Sequence, residues 1–228
     1  MYWGGEWRDA LDGATRDVIN PATEKPFARV AWGSREDARQ AIATAVIAQK
    51  EWAKVPLWER CEKVEGIAAL IQSRVEELRE ILCDELGKPF HGEARDEASE
   101  SHTNFLIAPQ QAKYLEGKTY PVQIANMRVM SFRRPLGVIA AITPWNFPAT
   151  IPAEYIPYAL VMGNAIVWTP APSAAATASV LADIIQSAGL PPGIFNLVIG
   201  AGAEVGDEFV VNPGTHAIGM TGSPGTAK

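Results

Sequence analysis

Four short apolar runs, each opening into a loop of small residues or prolines, constrain this chain more than anything else in it. They are residues 138–142 (VIAAI), 165–168 (AIVW), 195–199 (FNLVI) and 217–220 (AIGM). Their length and near-continuous apolar character fit strands buried on both faces, as in a parallel sheet. Between the first two runs, Ile151, Tyr155, Tyr158, Ala159 and Met162 recur at three- and four-residue spacing, and Gly163-Asn164 supplies a helix stop. Between the second and third, an alanine-rich helix is expected over 174–188, closed by Gly189-Leu190-Pro191-Pro192-Gly193. Strand, helix, glycine, strand, repeated, makes the chain α/β: a Rossmann-like parallel sheet flanked by helices.

In open sheets of this kind ligands sit at the carboxyl ends of the strands. The segments 144–146, 169–172, 200–206 and 221–223 are therefore expected to converge on one crevice, read as a dinucleotide site. Within it Asn146 stands out. Thr143-Pro144 ends the first strand, and Trp145, Asn146 and Phe147 lie between Pro144 and Pro148, so the turn is restricted and its amide is flanked by aromatic anchors. The plain alternative is an asparagine that only satisfies a turn. The glycine loop is weak by itself. Gly200, Gly202 and Gly206 do not form the usual dinucleotide fingerprint, because Val205 occupies the third glycine position.

Composition excludes several classes. The chain has 228 residues, 47% of them hydrophobic and 20% charged, which is ordinary for a globular protein. A net charge of −6 without a basic run argues against nucleic acid. No apolar run reaches membrane-spanning length, and the start MYWGGEWRDALDG lacks a basic, apolar signal core, so a cytoplasmic location is expected. Cys61 and Cys83 are the only cysteines, too sparse for a disulfide framework or a zinc site, and His91, His102 and His216 are scattered, so no metal is expected.

Upstream, helices are expected over 36–52, with Ser34 as cap, and over 57–86. The second carries Leu57, Cys61, Val64, Ala68, Ile71, Val75, Leu78 and Leu82 on one face, a core stripe that makes Cys61 a packing residue. A third helix from Glu93 to about Leu115 is expected to kink or end at Pro109. Residues 120–132 alternate loosely and read as two strands around Ala125-Asn126.

Ordered motifs run along the chain: Ile19-Asn20-Pro21-Ala22-Thr23, Glu85-Leu86-Gly87-Lys88-Pro89, Arg134-Pro135-Leu136-Gly137-Val138, Pro144-Trp145-Asn146-Phe147-Pro148 and Gly163-Asn164. Then come Ala188-Gly189-Leu190-Pro191-Pro192-Gly193 with Asn196, and Thr221-Gly222-Ser223. In order and spacing the chain resembles the aldehyde dehydrogenase superfamily over nearly its whole length. The resemblance implies oxidation of a small aldehyde with NAD or NADP, through attack by a cysteine thiolate, and Asn146 as the amide that donates to the oxyanion. It implies a cofactor site built from Ile142, Thr143, Pro144, Trp145, Thr169, Pro170, Ala171, Pro172, Gly202, Gly206, Gly222 and Ser223. It also makes 118–133 a β-hairpin arm for homo-oligomerisation, between an N-terminal helical part (1–117) and the Rossmann-like core (134–228). A hairpin that merely covers the sheet is the alternative from the residues alone.

The resemblance also exposes departures. Thr169 stands where the family usually has a lysine for the adenosine ribose, and Pro172 where an acid often repels the extra phosphate of NADP, leaving the choice of cofactor open. Met220 replaces a common aromatic, and Pro224-Gly225 make the next helix start less regular. The family's nucleophilic cysteine and activating glutamate lie beyond the Thr221-Gly222-Ser223 segment, and neither Cys61 nor Cys83 matches a nucleophile motif. The chain is therefore expected to be the N-terminal portion of a dehydrogenase, inactive alone. The alternatives are a truncated homologue that binds nucleotide or a partner subunit, and a chain that does not fold stably by itself.

Overall fold

The computed structural model describes residues 1–226. Two hairpins come first: β1 (Tyr2–Trp3) with β2 (Glu6–Trp7), then β3 (Thr15–Asn20) with β4 (Lys25–Ala31). Helices α1 (Arg35–Trp52), α2 (Leu57–Ser73), α3 (Val75–Leu86) and α4 (Glu93–Ala112) follow, and then the arm strands β5 (Thr119–Tyr120) and β6 (Val129–Met130). The core continues as β7 (Val138–Thr143), α5 (Thr150–Val161), β8 (Ala165–Pro170), α6 (Ala175–Ser187), β9 (Phe195–Leu197), α7 (Asp207–Val211) and β10 (Ala217–Met220).

The main sheet has six strands in the order β10-β7-β8-β9-β1-β2. Its first four strands are parallel, as the apolar runs predict, and β1 and β2 extend it in the antiparallel sense. From β7 the chain steps outward through α5 to β8 and through α6 to β9, then crosses back through α7 to reach β10 on the other side of β7. The packing puts α5 and α6 together against α2 on one face and α7 with α1 on the other, the arrangement that right-handed crossovers give. The order of the strands reverses between β7 and β10, which makes that gap the topological switch point.

The antiparallel edge is not among the expected elements, although the sequence carries a signal for it. Gly4-Gly5 separates Tyr2-Trp3 from Glu6-Trp7, and both glycines have positive φ (68° and 88°), the conformation of a two-residue hairpin turn. The first 31 residues, within the part read as helical, are thus strand-rich. The second hairpin turns on Asn20, whose side-chain oxygen accepts from the amides of Ala22 (2.9 Å) and Thr23 (3.2 Å).

The α1 start is the expected one: Ser34 and Asp37 form a capping box. The 57–86 stretch, expected as one helix, is two. The chain breaks at Arg74 (φ −115°, ψ 22°) without any glycine or proline. The reason is tertiary: both helices pack on α4 and α6, but α2 also meets α5, whereas α3 turns to meet β3. Arg74 fastens the corner through its guanidinium, which donates to Glu77 (2.7 and 2.9 Å) and to Asp183 of α6 (2.8 Å). Conversely, α4 runs through Pro109 for another turn, held by buried Phe105, Ala108 and Ala112. The apolar stripe is core, with Cys61, Val64, Ala68, Ile71, Leu78 and Leu82 fully buried.

Two asparagines in the motifs are structural. Asn164 Oδ1 accepts from the amides of Leu136 (2.7 Å) and Gly137 (3.0 Å), fixing the entry to β7. Asn196, fully buried, accepts from Gly4 N (3.1 Å) and donates to the carbonyls of Ile166 (3.1 Å) and Gly193 (2.8 Å). It therefore joins β8, the loop before β9 and the N-terminal hairpin. Asn196→Ala leaves these backbone groups without partners in a dry site, and we expect a loss on the order of 3 kcal/mol. Urea unfolding measures it, as a lower midpoint at unchanged slope; a loss under about 1 kcal/mol would mean that the amide is not what holds the three segments together.

Candidate functional site

The register of the parallel strands brings the predicted loops together. Thr143 pairs with Pro170 and Met220 with Ile142, so β7, β8 and β10 end at one level of the sheet. Beyond these pairs Thr221 N donates to Ile142 O (3.1 Å), and Val198 N to Trp168 O (2.9 Å). A Cβ on Gly206 would lie 3.9 Å from Ile142 Cδ1, which places the glycine segment after β9 against the same strand end. Pro144–Asn146 and Thr221–Ser223 thus flank the switch point, with Gly206 beside them.

Within this crevice the predicted residues differ in what they offer. Trp145, Asn146, Pro172, Gly202, Gly222 and Ser223 are exposed, Ile142, Pro144 and Ala171 are partly so, and Thr143, Thr169, Pro170 and Gly206 are buried. The Thr143 hydroxyl accepts from the buried Trp168 indole N–H (2.9 Å), so that side chain is committed to the sheet. Thr169 is only 3% exposed, and its hydroxyl is hardly available to a ligand. The glycine loop forms a turn of π-helix over Gly202–Gly206 that runs directly into α7, with open space around the Gly202 Cα.

Several side chains hold the crevice that the motif reading did not single out. Tyr155 of α5 shares a 2.8 Å hydrogen bond with the Thr221 hydroxyl, and its ring lies so close to Gly219 that a Cβ there would sit 2.5 Å from Tyr155 Cδ1. Arg35 reaches Asp207 (2.5 Å) and Glu208 (3.1 Å), and Arg39 reaches Glu208 (3.0 Å), tying α7 and the glycine turn to α1. Burial pushes the Glu208 carboxyl up, but hydrogen bonds from Asn212, Arg39 and Arg35 together outweigh it and hold it below its ordinary value. Glu85 closes the N-terminus of α6: its two oxygens accept from Ala176 N (2.8 Å) and Thr177 N (2.7 Å).

The cavities lie elsewhere. One of about 500 Å³, lined by Arg8, Arg29, Val30, Ile81, Ser179 and Val180 among others, shares no residue with the crevice. A smaller one of about 170 Å³, between Arg16, Glu85 and Pro172, touches its rim. The strand-end crevice is an open trough defined by topology. Cys61 is a packing residue: its thiol donates to Pro109 O (3.7 Å), and burial pushes it above the ordinary thiol range. Cys83 is half-buried on α3 and forms no disulfide.

A family model described as "Aldehyde dehydrogenase family" matches residues 7–228. The chain belongs to the aldehyde dehydrogenase family. Among curated relatives it is 36% identical over 223 residues to lactaldehyde dehydrogenase of Escherichia coli, covering 98% of this chain and 46% of that enzyme. It is 33% identical over 227 residues to the NADP-dependent glyceraldehyde-3-phosphate dehydrogenase of Zea mays, again covering 46% of that enzyme. Betaine aldehyde dehydrogenase from Staphylococcus aureus, solved with NAD+, superposes at a TM-score of 0.95 with 29% identity, over 99% of this chain and 45% of that one. A 3,6-anhydro-L-galactose dehydrogenase solved with NAP gives 0.95 and 36%, over 99% and 47%. The chain therefore spans about half the length of the family members it matches. No helix among the described residues is long and apolar enough to cross a membrane.

Glu85 gives the site a pH signature. Burial raises its carboxyl above the ordinary value of 4.5, against the lowering effect of the hydrogen bonds from Thr177 and Ala176. The fold thus favours the protonated form, and this contribution is complete below about pH 4.5 and lost as pH rises through the raised value. Glu85→Gln does not titrate, so we expect its stability relative to the parent to climb with pH over that window and then level off. Urea unfolding at a series of pH values checks this; a difference independent of pH would mean that Glu85 titrates alike in the folded and unfolded chain.

Proposed function

We propose that this chain is the dinucleotide-binding and oxyanion-stabilising part of an NAD(P)-dependent aldehyde dehydrogenase, which oxidises an aldehyde to a carboxylic acid through a thiohemiacetal and a thioester. The nucleophilic cysteine and the activating glutamate lie, on this reading, outside these 228 residues. The observation that carries the proposal is the position of Asn146, exposed in a turn at the carboxyl end of β7, across the switch point from Thr221–Ser223 in a chain of this family.

The residues present fit a dinucleotide. The open space at Gly202 and the exposed Gly222 and Ser223 let a ligand approach the backbone closely, and Trp145 and Pro172 offer flat apolar surface beside them. Ile142, Thr143, Pro144, Thr169, Pro170, Ala171 and Gly206 form the floor. When bound, NAD or NADP takes up the hydride from the substrate carbon. The role of Asn146 is electrostatic: its side-chain NH₂, a neutral donor in the restricted turn after β7, meets the charge that develops on the aldehyde oxygen. The arm at 118–133 exposes Tyr120, Ile124, Met127, Val129, Met130 and Phe132, an apolar edge suited to pairing with another subunit of the same protein.

In the full-length enzyme Asn146→Ala should lower kcat by about 10²–10³ with little change in the cofactor KM, as expected for a donor used only in the transition state. Unchanged kcat would remove Asn146 from the chemistry. Binding is tested separately on the same protein: NADH should quench tryptophan fluorescence, with exposed Trp145 the reporter, and the quench should weaken in Trp145→Phe. A flat titration of the folded protein would refute the dinucleotide site.

A further inference from the structure

No hydrogen bond engages the Asn146 amide among the described residues, so its placement depends on its neighbours in the chain. Besides the Ile151 N–H, which donates to the Phe147 carbonyl (3.0 Å), a buried ion pair holds those neighbours. Ala149 N and Thr150 N, at the start of α5, both donate to Glu97 Oε1, at 2.8 and 3.3 Å. The Thr150 hydroxyl donates to the backbone oxygen of the same residue (3.3 Å). The other carboxylate oxygen of Glu97 accepts from Lys88 Nζ at 2.5 Å. That ammonium in turn stands 4.2 Å from the centroid of the Phe147 ring. Glu97 is 1% and Lys88 9% exposed.

We propose that Lys88 and Glu97 are positioning residues for Asn146. The inference rests on the oxyanion role assigned to that amide. Phe147 and Ala149, one and three residues after Asn146, are clamped by the two ends of the pair, through a cation on an aromatic face and a carboxylate on helix N–H groups. Burying two charges costs several kcal/mol per ion, and an apolar pair of similar volume would fill the space more cheaply. What charges add here is direction. A carboxylate with three donors around it admits one orientation of the α5 start, and the ammonium limits the Phe147 ring to one side. The turn between them inherits that geometry, and in an oxyanion site an error of about 1 Å is worth on the order of 10²-fold in rate. Neither residue touches the crevice.

The test uses Lys88→Met, which keeps the aliphatic stem, and Glu97→Gln, which keeps an acceptor for the two amides, in the full-length enzyme. We expect kcat to fall about tenfold or more in each while the cofactor KM changes less than about twofold. In an Asn146→Ala background the same substitutions should cost nothing further in kcat, because the amide they place is gone. Hydrogen exchange at Ala149 and Thr150 should quicken about tenfold or more relative to amides of α1. Equal losses of kcat with and without Asn146 would overturn the proposal, since they would show a general structural effect, and so would unchanged exchange in both variants. The underlying reading fails by a different result: if Asn146→Ala alone leaves kcat intact, the oxyanion role falls, and the exchange data still decide whether the ion pair holds the turn.

Discussion

The ladder between β7 and β8 is the contact on which the rest of this structure depends. It pairs Val138 with Ala165 through to Thr143 with Pro170, and each functional loop starts where one of its strands, or a neighbour in register with them, ends. A slip by one residue would turn every side chain to the opposite face. Two side chains oppose such a slip. At the exit, the Trp168 indole N–H would lose the Thr143 hydroxyl and be left unpaired in a fully buried position. At the entry, Asn164 accepts from two successive amides just before β7 begins. Unpaired buried donors cost more than the bonds contribute when made, so the register is set by penalties at both ends as well as by apolar fit between them.

Above that ladder, both crossover helices of the βαβ repeat have their N-termini closed by carboxylates from a distant layer of the molecule. Glu97 on α4 meets α5, and Glu85 at the end of α3 meets α6. In many dinucleotide folds such helix ends are left free for phosphate, where their N–H groups and positive dipole ends stabilise an anion. Here those groups are already satisfied by carboxyl oxygens. The backbone left open at the strand ends lies instead at Gly202, Gly222 and Ser223. This agrees with the missing third glycine of the usual fingerprint: that glycine serves close approach between helix and strand, and at this point the chain has Val205, fully buried, inside a π-turn.

The parts of the fold legible in the sequence are those governed by local apolar pattern. Four parallel strands, two crossover helices, the Ser34 cap and the turn at Asn126 follow from runs, spacing and turn residues within a few positions of each other. The break at Arg74 was not legible, because its partner Asp183 is more than a hundred positions away and no backbone signal marks it. Continuation through Pro109 is the converse, a strong local signal overruled by packing along α4. The Gly4-Gly5 hairpin carries a local turn signal, but its strands are only two residues each, too short to show an apolar pattern. At the site, motif order named the exposed turn and loops, but not Tyr155 or the arginines of α1, nor Glu97, which holds the start of α5; helical spacing marks the core face of these elements and not the partners of their polar side chains.

The same distinction bears on the two departures from the family pattern. Read as sequence, Thr169 and Pro172 each lack a charged side chain that the resemblance leads one to expect. The structure separates them. Thr169 is the penultimate residue of β8 and is nearly enclosed, so its shortness leaves the sheet undisturbed and gives a ligand little to touch. Pro172 is exposed at the rim, where a small cavity also presents Arg16 and Glu85. Because Pro172 carries no charge, the electrostatic character of that rim comes from residues contributed by β3 and by the end of α3. That character is a property of the packing between β3, α3 and the turn after β8, and no single position of the motif contains it.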